Sequence, residues 1–167
     1  WAGWIGYFLR ESGYSTIINL VSSKAYDIKE MAIMDAIRYY SRTGNTEKLA
    51  NMLADQLNVK AETIDTPITD TVDRLFLGGG VYNMSADKHL KEYAKDLDPT
   101  KVKEVYLFGT SGSVFTIEKQ ISKILDKKKI PIADQHLFLH GVMPKMGNIS
   151  SHQQKEVTDF VKGAVTQ

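Results

Sequence analysis

There is no cysteine in these 167 residues. That absence removes disulfides, thiolate metal sites and every mechanism built on a cysteine nucleophile, cysteine-dependent phosphatase chemistry included. It is compatible with a reducing cytoplasm, which is the expected location. Excess charge is also missing: Lys and Arg total 21 against 20 Asp and Glu, for a formal net charge of +1. The single tight basic run, Lys127-Lys128-Lys129, follows a helical stretch, where lysines complement the negative end of the dipole. No basic stripe with interleaved aromatics accompanies it, so nucleic acid is not expected as a partner. No apolar run approaches the ~20 residues of a membrane-spanning helix, and no membrane span is expected. The four histidines, His89, His136, His140 and His152, lack metal-ligand spacing, and no Ser-His-Asp set can be assembled. Neither a metal nor a catalytic side chain is expected.

Two familiar phosphate-binding signatures are missing as well. There is no G-x-x-x-x-G-K-[ST] segment, and Gly78-Gly79-Gly80, although it follows a strand-like run, does not have the G-x-G-x-x-G spacing of a dinucleotide site. What is present is Ser41-Arg42-Thr43-Gly44-Asn45-Thr46, set between the apolar run Ala36-Ile37-Arg38-Tyr39-Tyr40 and an amphipathic helix. A helix start leaves its first N–H groups unpaired at the positive end of the dipole. A hydroxyl-rich turn there is suited to an anion, with Ser41, Thr43, Asn45 and Thr46 as side-chain donors and Gly44 free to adopt angles a Cβ would hinder. The same residues are also ordinary capping residues; their grouping directly after a strand favours phosphate. A group held by hydroxyls and amides alone points to a monophosphate ligand.

With 43% hydrophobic and 25% charged residues, the composition is that of an ordinary globular chain of one domain. From Ala32 onward short apolar runs alternate with helical periodicity, the pattern of a parallel sheet covered on both faces. Strands are expected over Ala32–Ser41, Val59–Ile64, Arg74–Gly78, Val102–Gly109 and His136–Gly141. Helical stripes follow at Leu49, Met52, Leu53, Leu57; at Leu90, Tyr93, Ala94, Leu97; at Ile117, Ile121, Ile124, Leu125; and at Val157, Phe160, Val161, Ala164, Val165. Between the second and third strands only Asp65–Thr71 is available, with Pro67 inside it. A parallel neighbour needs a crossover of about a dozen residues, so those strands should not be adjacent. The expected order is 2-1-3-4-5, with ligands outside the carboxyl ends of the strands, near the first and third. Residues 1–30, which hold Trp1 and Trp4, do not fit this repeat and form an N-terminal extension of unknown role; the domain is expected over 31–167, with Met31 or Met34 a natural start. A signal peptide is disfavoured by the lack of a basic leading region and by Arg10-Glu11-Ser12-Gly13.

Tyr40-Ser41-Arg42-Thr43-Gly44-Asn45-Thr46-Glu47 resembles the [ST]-x-T-G-N-T phosphate loop of the short-chain flavodoxins, which bind FMN. Leu77-Gly78-Gly79-Gly80-Val81-Tyr82-Asn83-Met84 falls where that family has its first flavin loop, and Leu107-Phe108-Gly109-Thr110-Ser111-Gly112-Ser113-Val114-Phe115 at its second. The resemblance covers about Ala32 to Gln167. It implies an α/β three-layer sandwich on a five-stranded parallel sheet, noncovalent FMN, and electron transfer to a redox protein or a small-molecule acceptor. By it, Ser41, Arg42, Thr43, Gly44, Asn45 and Thr46 hold the phosphate. Gly80, Val81, Tyr82, Asn83 and Met84 border the isoalloxazine from one side; Thr110, Ser111, Gly112, Ser113 and Phe115 border it from the other. Tyr82 would stack on the ring, and Asn83 occupies the position whose peptide, in the family, turns toward flavin N5.

The chain departs from the family in three respects. It is not acidic, which removes the usual reason for docking to basic partners. Ser113 takes the place of the aromatic often found in the second ring loop, and Gly109–Thr116 holds no carboxylate, so less negative charge faces a reduced flavin. Phe115 either substitutes for that aromatic or serves the core. The connection at Asp65–Thr71 is short. A receiver domain would share the strand order, but it needs an acceptor aspartate where this chain has Gly78-Gly79-Gly80 and an acidic pair where it has Ser41-Arg42. The closer alternative is a flavoenzyme of the same fold acting on a quinone or a protoporphyrinogen-like acceptor, with His140-Gly141-Val142-Met143-Pro144-Lys145-Met146 bordering the substrate or serving as a plain connection.

Overall fold

A computed structural model describes residues 33–140 and 149–166. The chain divides into two compact units, Trp1–Ile33 and Met34–Gln167. The N-terminal extension and the 141–148 segment of the last connection lie outside the described residues.

Strand β1 (Asp35–Tyr40) leads through the Ser41–Gly44 turn into α1 (Asn45–Leu57). Strand β2 (Ala61–Thr63) follows, then β3 (Val72–Tyr82), β4 (Ser85–Ala86), α2 (Lys88–Asp96), β5 (Val102–Ser111), α3 (Glu118–Lys128), β6 (Ile132–His140) and α4 (Ser151–Val165). The main sheet runs β2-β1-β3-β5-β6 with every pair parallel. Counting its five strands alone, this is the expected 2-1-3-4-5. The two-residue β4 pairs antiparallel with the end of β3, a hairpin the sequence reading did not contain.

Side chains alternate across the sheet, as the period of a strand requires. Ile37, Tyr39, Phe76, Tyr106, Phe108 and Leu137 face one core with α1 and α4; Leu75, Leu77, Val105 and Leu107 face the other with α2 and α3. The stripes at Leu49, Leu53, Leu90, Ala94, Ile121, Leu125, Val157 and Phe160 are all buried. Val165 is not: it is 50% exposed, because it sits eight residues after Val157, at the margin of the stripe and in the last turn.

Strand bounds differ from expectation for local reasons. Strand β1 is shorter than Ala32–Ser41, with Ile33 and Met34 exposed. Asn58, left-handed at φ 53, ends α1 and turns Val59 and Lys60 away from pairing, leaving β2 three residues long. Strand β3 runs on past Gly78 to Tyr82. Its glycines are there for close packing: a Cβ on Gly78 would lie 2.1 Å from the Phe108 ring. Strand β5 likewise extends to Ser111, and β6 begins four residues before His136.

The short β2–β3 connection has no helix, and it is tied down from β1. Arg38, 7% exposed within the apolar run, donates to the Thr66 carbonyl at 2.8 Å and the Pro67 carbonyl at 3.3 Å and pairs with Glu62 at 3.0 Å. A buried guanidinium persists only when its donors are answered.

Candidate functional site

Because the main strands are parallel, β1, β3, β5 and β6 all end on the same side of the sheet. The pairings Tyr40↔Gly79, Gly80↔Thr110 and Ser111↔His140 bring the segments after them to one rim. Every site residue expected from sequence lies there.

The first segment is the turn into α1. Gly44 is its N-cap, left-handed at φ 83, with no side-chain cap on the helix. The Ser41 hydroxyl accepts from the Gly44 N–H at 3.0 Å, so its own proton remains available. Asn45 and Thr46 are buried. Thr43 is exposed and makes no hydrogen bond to a described residue. Thr46 Oγ1 lies 2.9 Å from Thr110 Oγ1, both residues buried, which ties the start of α1 to the end of β5. The four expected donors are therefore not equivalent: Ser41, Asn45 and Thr46 already have partners, and Thr43 has none among the described residues.

The second segment is the end of β3. Gly80 is buried and Val81 and Tyr82 half-buried, all three within the strand and not in a loop. The Tyr82 ring folds back over Gly80, where a Cβ would meet its hydroxyl at 2.9 Å. That hydroxyl accepts from the Arg42 N–H at 2.8 Å, and the Arg42 guanidinium carbon stands 4.5 Å above the ring centroid. Asn83 and Met84, at φ 50 and 61, form the two-residue turn into β4. Two positive φ values are what such a hairpin needs; Asn is suited to one, whereas Met is not, and Met84 stands 68% exposed.

The third segment follows β5. Thr110 and Ser111 are buried at the strand end, and Gly112, Ser113, Val114 and Phe115 are exposed. The Ser111 hydroxyl accepts from the Ser113 N–H at 3.1 Å. His140 Nδ1 lies 2.7 Å from the Ser113 carbonyl, which can only accept, so that nitrogen carries a proton. Phe115 is 45% exposed and has no core role.

One residue that the sequence reading passed over belongs to the rim. Asp87, the N-cap of α2, accepts from the His89 N–H and the His89 ring nitrogen, each at 2.9 Å, and pairs with Arg42. Burial pushes this carboxyl up, but the two His89 donors and the Arg42 guanidinium outweigh it and hold it below its usual value. Its signal was a carboxylate directly before a helical stripe. His89 in turn stacks on Tyr40, ring centroids 5.3 Å apart.

The rim therefore offers an open helix start, hydroxyls, one aromatic face and a polar loop, in the crevice where α/β sheets bind ligands. A family model described as a flavodoxin domain matches residues 36–164. Among solved structures, oxidised flavodoxin 1 of Bacillus cereus aligns with a TM-score of 0.60 at 16% identity, over 80% of this chain and 97% of that one. Two-electron-reduced Megasphaera elsdenii flavodoxin aligns at 0.58 and 20% identity, over 77% and 99%. Rubredoxin oxygen:oxidoreductase of Desulfovibrio gigas gives 0.62 at 17% identity over 77% of this chain, which spans only 34% of that longer protein. An uncharacterized protein of Methanocaldococcus jannaschii is 33% identical over 90 residues, 51% of this chain and 58% of the archaeal one. The structural likenesses are of fold, and the family match spans most of the sequence: the chain belongs to the flavodoxin domain family, whose general function is flavin-dependent electron transfer.

Proposed function

We propose that this domain holds one FMN noncovalently and transfers electrons through it, with the phosphate at Ser41–Thr46 and the isoalloxazine between Tyr82 and the Thr110–Phe115 segment. The observation that carries the reading is the start of α1: a left-handed Gly44 without a side-chain cap, beside an exposed Thr43 whose hydroxyl and amide have no partner among the described residues. Unpaired amides at the positive end of a helix suit a phosphate. The residues present fit the group. Hydroxyls and amides meet the phosphate, and Tyr82 supplies an apolar face that excludes water from one side of a flat ring. FMN, when bound, supplies the redox chemistry itself.

Absorption spectra of the purified protein, with and without added FMN, test this directly. Flavin bands that survive gel filtration are expected; no retention of FMN overturns the proposal. With no carboxylate in the 109–116 stretch, little negative charge opposes a reduced, anionic flavin. A unit charge a few ångströms away at an effective dielectric of ~20 is worth a few kcal/mol. Ser113→Asp should therefore lower the second reduction potential, and no shift would place that loop away from the ring.

A second reading has one observation in its favour. Met84, Val114 and Phe115 are 68%, 83% and 45% exposed at the rim, an apolar border suited to a small acceptor such as a quinone. Faster reoxidation of the reduced protein by a soluble quinone than by any redox protein would select an oxidoreductase over a carrier.

A further inference from the structure

The Arg42 side chain turns out of the phosphate loop and onto the end of β3. Arg42 meets Tyr82 at two points: its backbone N–H donates to the tyrosine hydroxyl at 2.8 Å, and the guanidinium carbon of its side chain lies 4.5 Å above the ring centroid. The side chain is 51% exposed, yet its ion-pair partner Asp87 is 1% exposed. A cation–π contact alone is too weak to immobilise a half-exposed, flexible guanidinium. The fixed element is the carboxylate. Asp87 is itself held by the His89 N–H and ring nitrogen, each at 2.9 Å, and the His89 ring stacks on Tyr40 at the end of β1. The contacts thus run Tyr40–His89–Asp87–Arg42–Tyr82 and join the ends of β1 and β3 through the start of α2.

We infer that Asp87 is a positioning residue for the flavin-stacking ring: through Arg42, held over the Tyr82 ring, it fixes the orientation in which Tyr82 meets the isoalloxazine. The inference rests on the FMN reading above. It makes Arg42 a clamp on the ring platform and not a phosphate ligand, its charge already answered by Asp87. Losing the clamp should then impair binding of the ring, which riboflavin and FMN share, whereas losing a phosphate ligand would impair FMN alone.

Asp87→Asn separates these, because Asn is as good an N-cap as Asp and preserves the start of α2 while removing the charge that holds Arg42. Two measurements follow. In the flavin-free protein, the Arg42 Cδ protons are shielded by the Tyr82 ring current; in Asp87→Asn they should move toward unshielded values, as in Tyr82→Leu. In fluorescence titrations, Asp87→Asn should weaken riboflavin and FMN alike by about fivefold, the scale of a cation–π contact. That loss should vanish in an Arg42→Met background, since the coupling runs through Arg42. Loss of FMN affinity alone, or unchanged affinity for both, overturns the inference. Failure of the wild type to bind either flavin overturns the FMN reading instead, whereas failure of the clamp shows as unmoved Arg42 signals in the flavin-free protein.

Discussion

Helix α4 begins at Ser150, whose hydroxyl accepts from the Gln153 N–H at 3.2 Å while the Gln153 side chain takes the Ser150 N–H at 3.2 Å. Two orphan donors are answered from within the helix. Helix α1 begins at Gly44 and has no side-chain cap, although Ser41, Thr43 and Thr46 all lie within three residues of Gly44. Of those hydroxyls, one accepts from Gly44, one pairs with Thr110, and Thr43 is left to solvent. The two helix starts face the same electrostatic problem. In α4 a reciprocal side-chain pair closes the start; in α1 no side chain caps the helix. Where capping rules are set aside, a site is to be sought.

Closing the open start should have the largest effect. Gly44→Asp sets a carboxylate where the phosphate charge would lie, and Asp tolerates positive φ better than most residues. Like-charge repulsion of a few kcal/mol should reduce FMN affinity by more than about a hundredfold and riboflavin affinity far less, as read by fluorescence titration. Equal loss for both flavins would remove the phosphate from this turn. Next comes the unused hydroxyl. Thr43→Val should weaken FMN by about 1.5–3 kcal/mol, the range for a hydrogen bond to a charged group, with riboflavin affinity and the urea midpoint unchanged because Thr43 has no partner among the described residues. Thr46→Val is a less clean test, since it strands the buried Thr110 hydroxyl.

The closed start should show the reverse pattern. Ser150→Ala should destabilise the fold by about 1 kcal/mol, lowering the urea midpoint with no change in flavin affinity; a change in affinity would mean that the two helix starts are coupled. The smallest effect belongs to α2, whose start is closed by Asp87. Because this carboxyl is held below its usual value, its contribution is present above the unfolded carboxylate range, about pH 4, and is lost as pH falls through the depressed folded value. The stability gap between wild type and Asp87→Asn should be constant near neutrality and close only in strong acid. A gap that closes near neutrality would remove the Asp87 charge as its source.

Much of this is legible along the chain. Helical stripes at Leu49–Leu53, Leu90–Ala94 and Val157–Ala164 repeat at a spacing that buries one face, and the seven residues of Asp65–Thr71 are too few for a crossover, which sets the strand order. The hydroxyl-rich turn into α1 was readable because its residue types and its position before a helix are both local. The β3–β4 hairpin was not readable, because Met84, at φ 61 in the turn, is a residue type that carries no turn signal. Nor was the role of the glycine run, which depends on where Phe108 and Leu90 pack.

By itself, then, the sequence determined the alternation of strands and helices, their order in the sheet and the hydroxyl-rich turn between β1 and α1, because periodicity, capping and connection length act over a few residues. Only the tertiary structure decided which hydroxyls are already occupied, that Arg42 lies on Tyr82 forty residues away and is held there by Asp87, and that Phe115 and Val165 face solvent. Those outcomes depend on which segments the parallel sheet brings to one rim, and side chains so distant in sequence have no local pattern that selects the pairing.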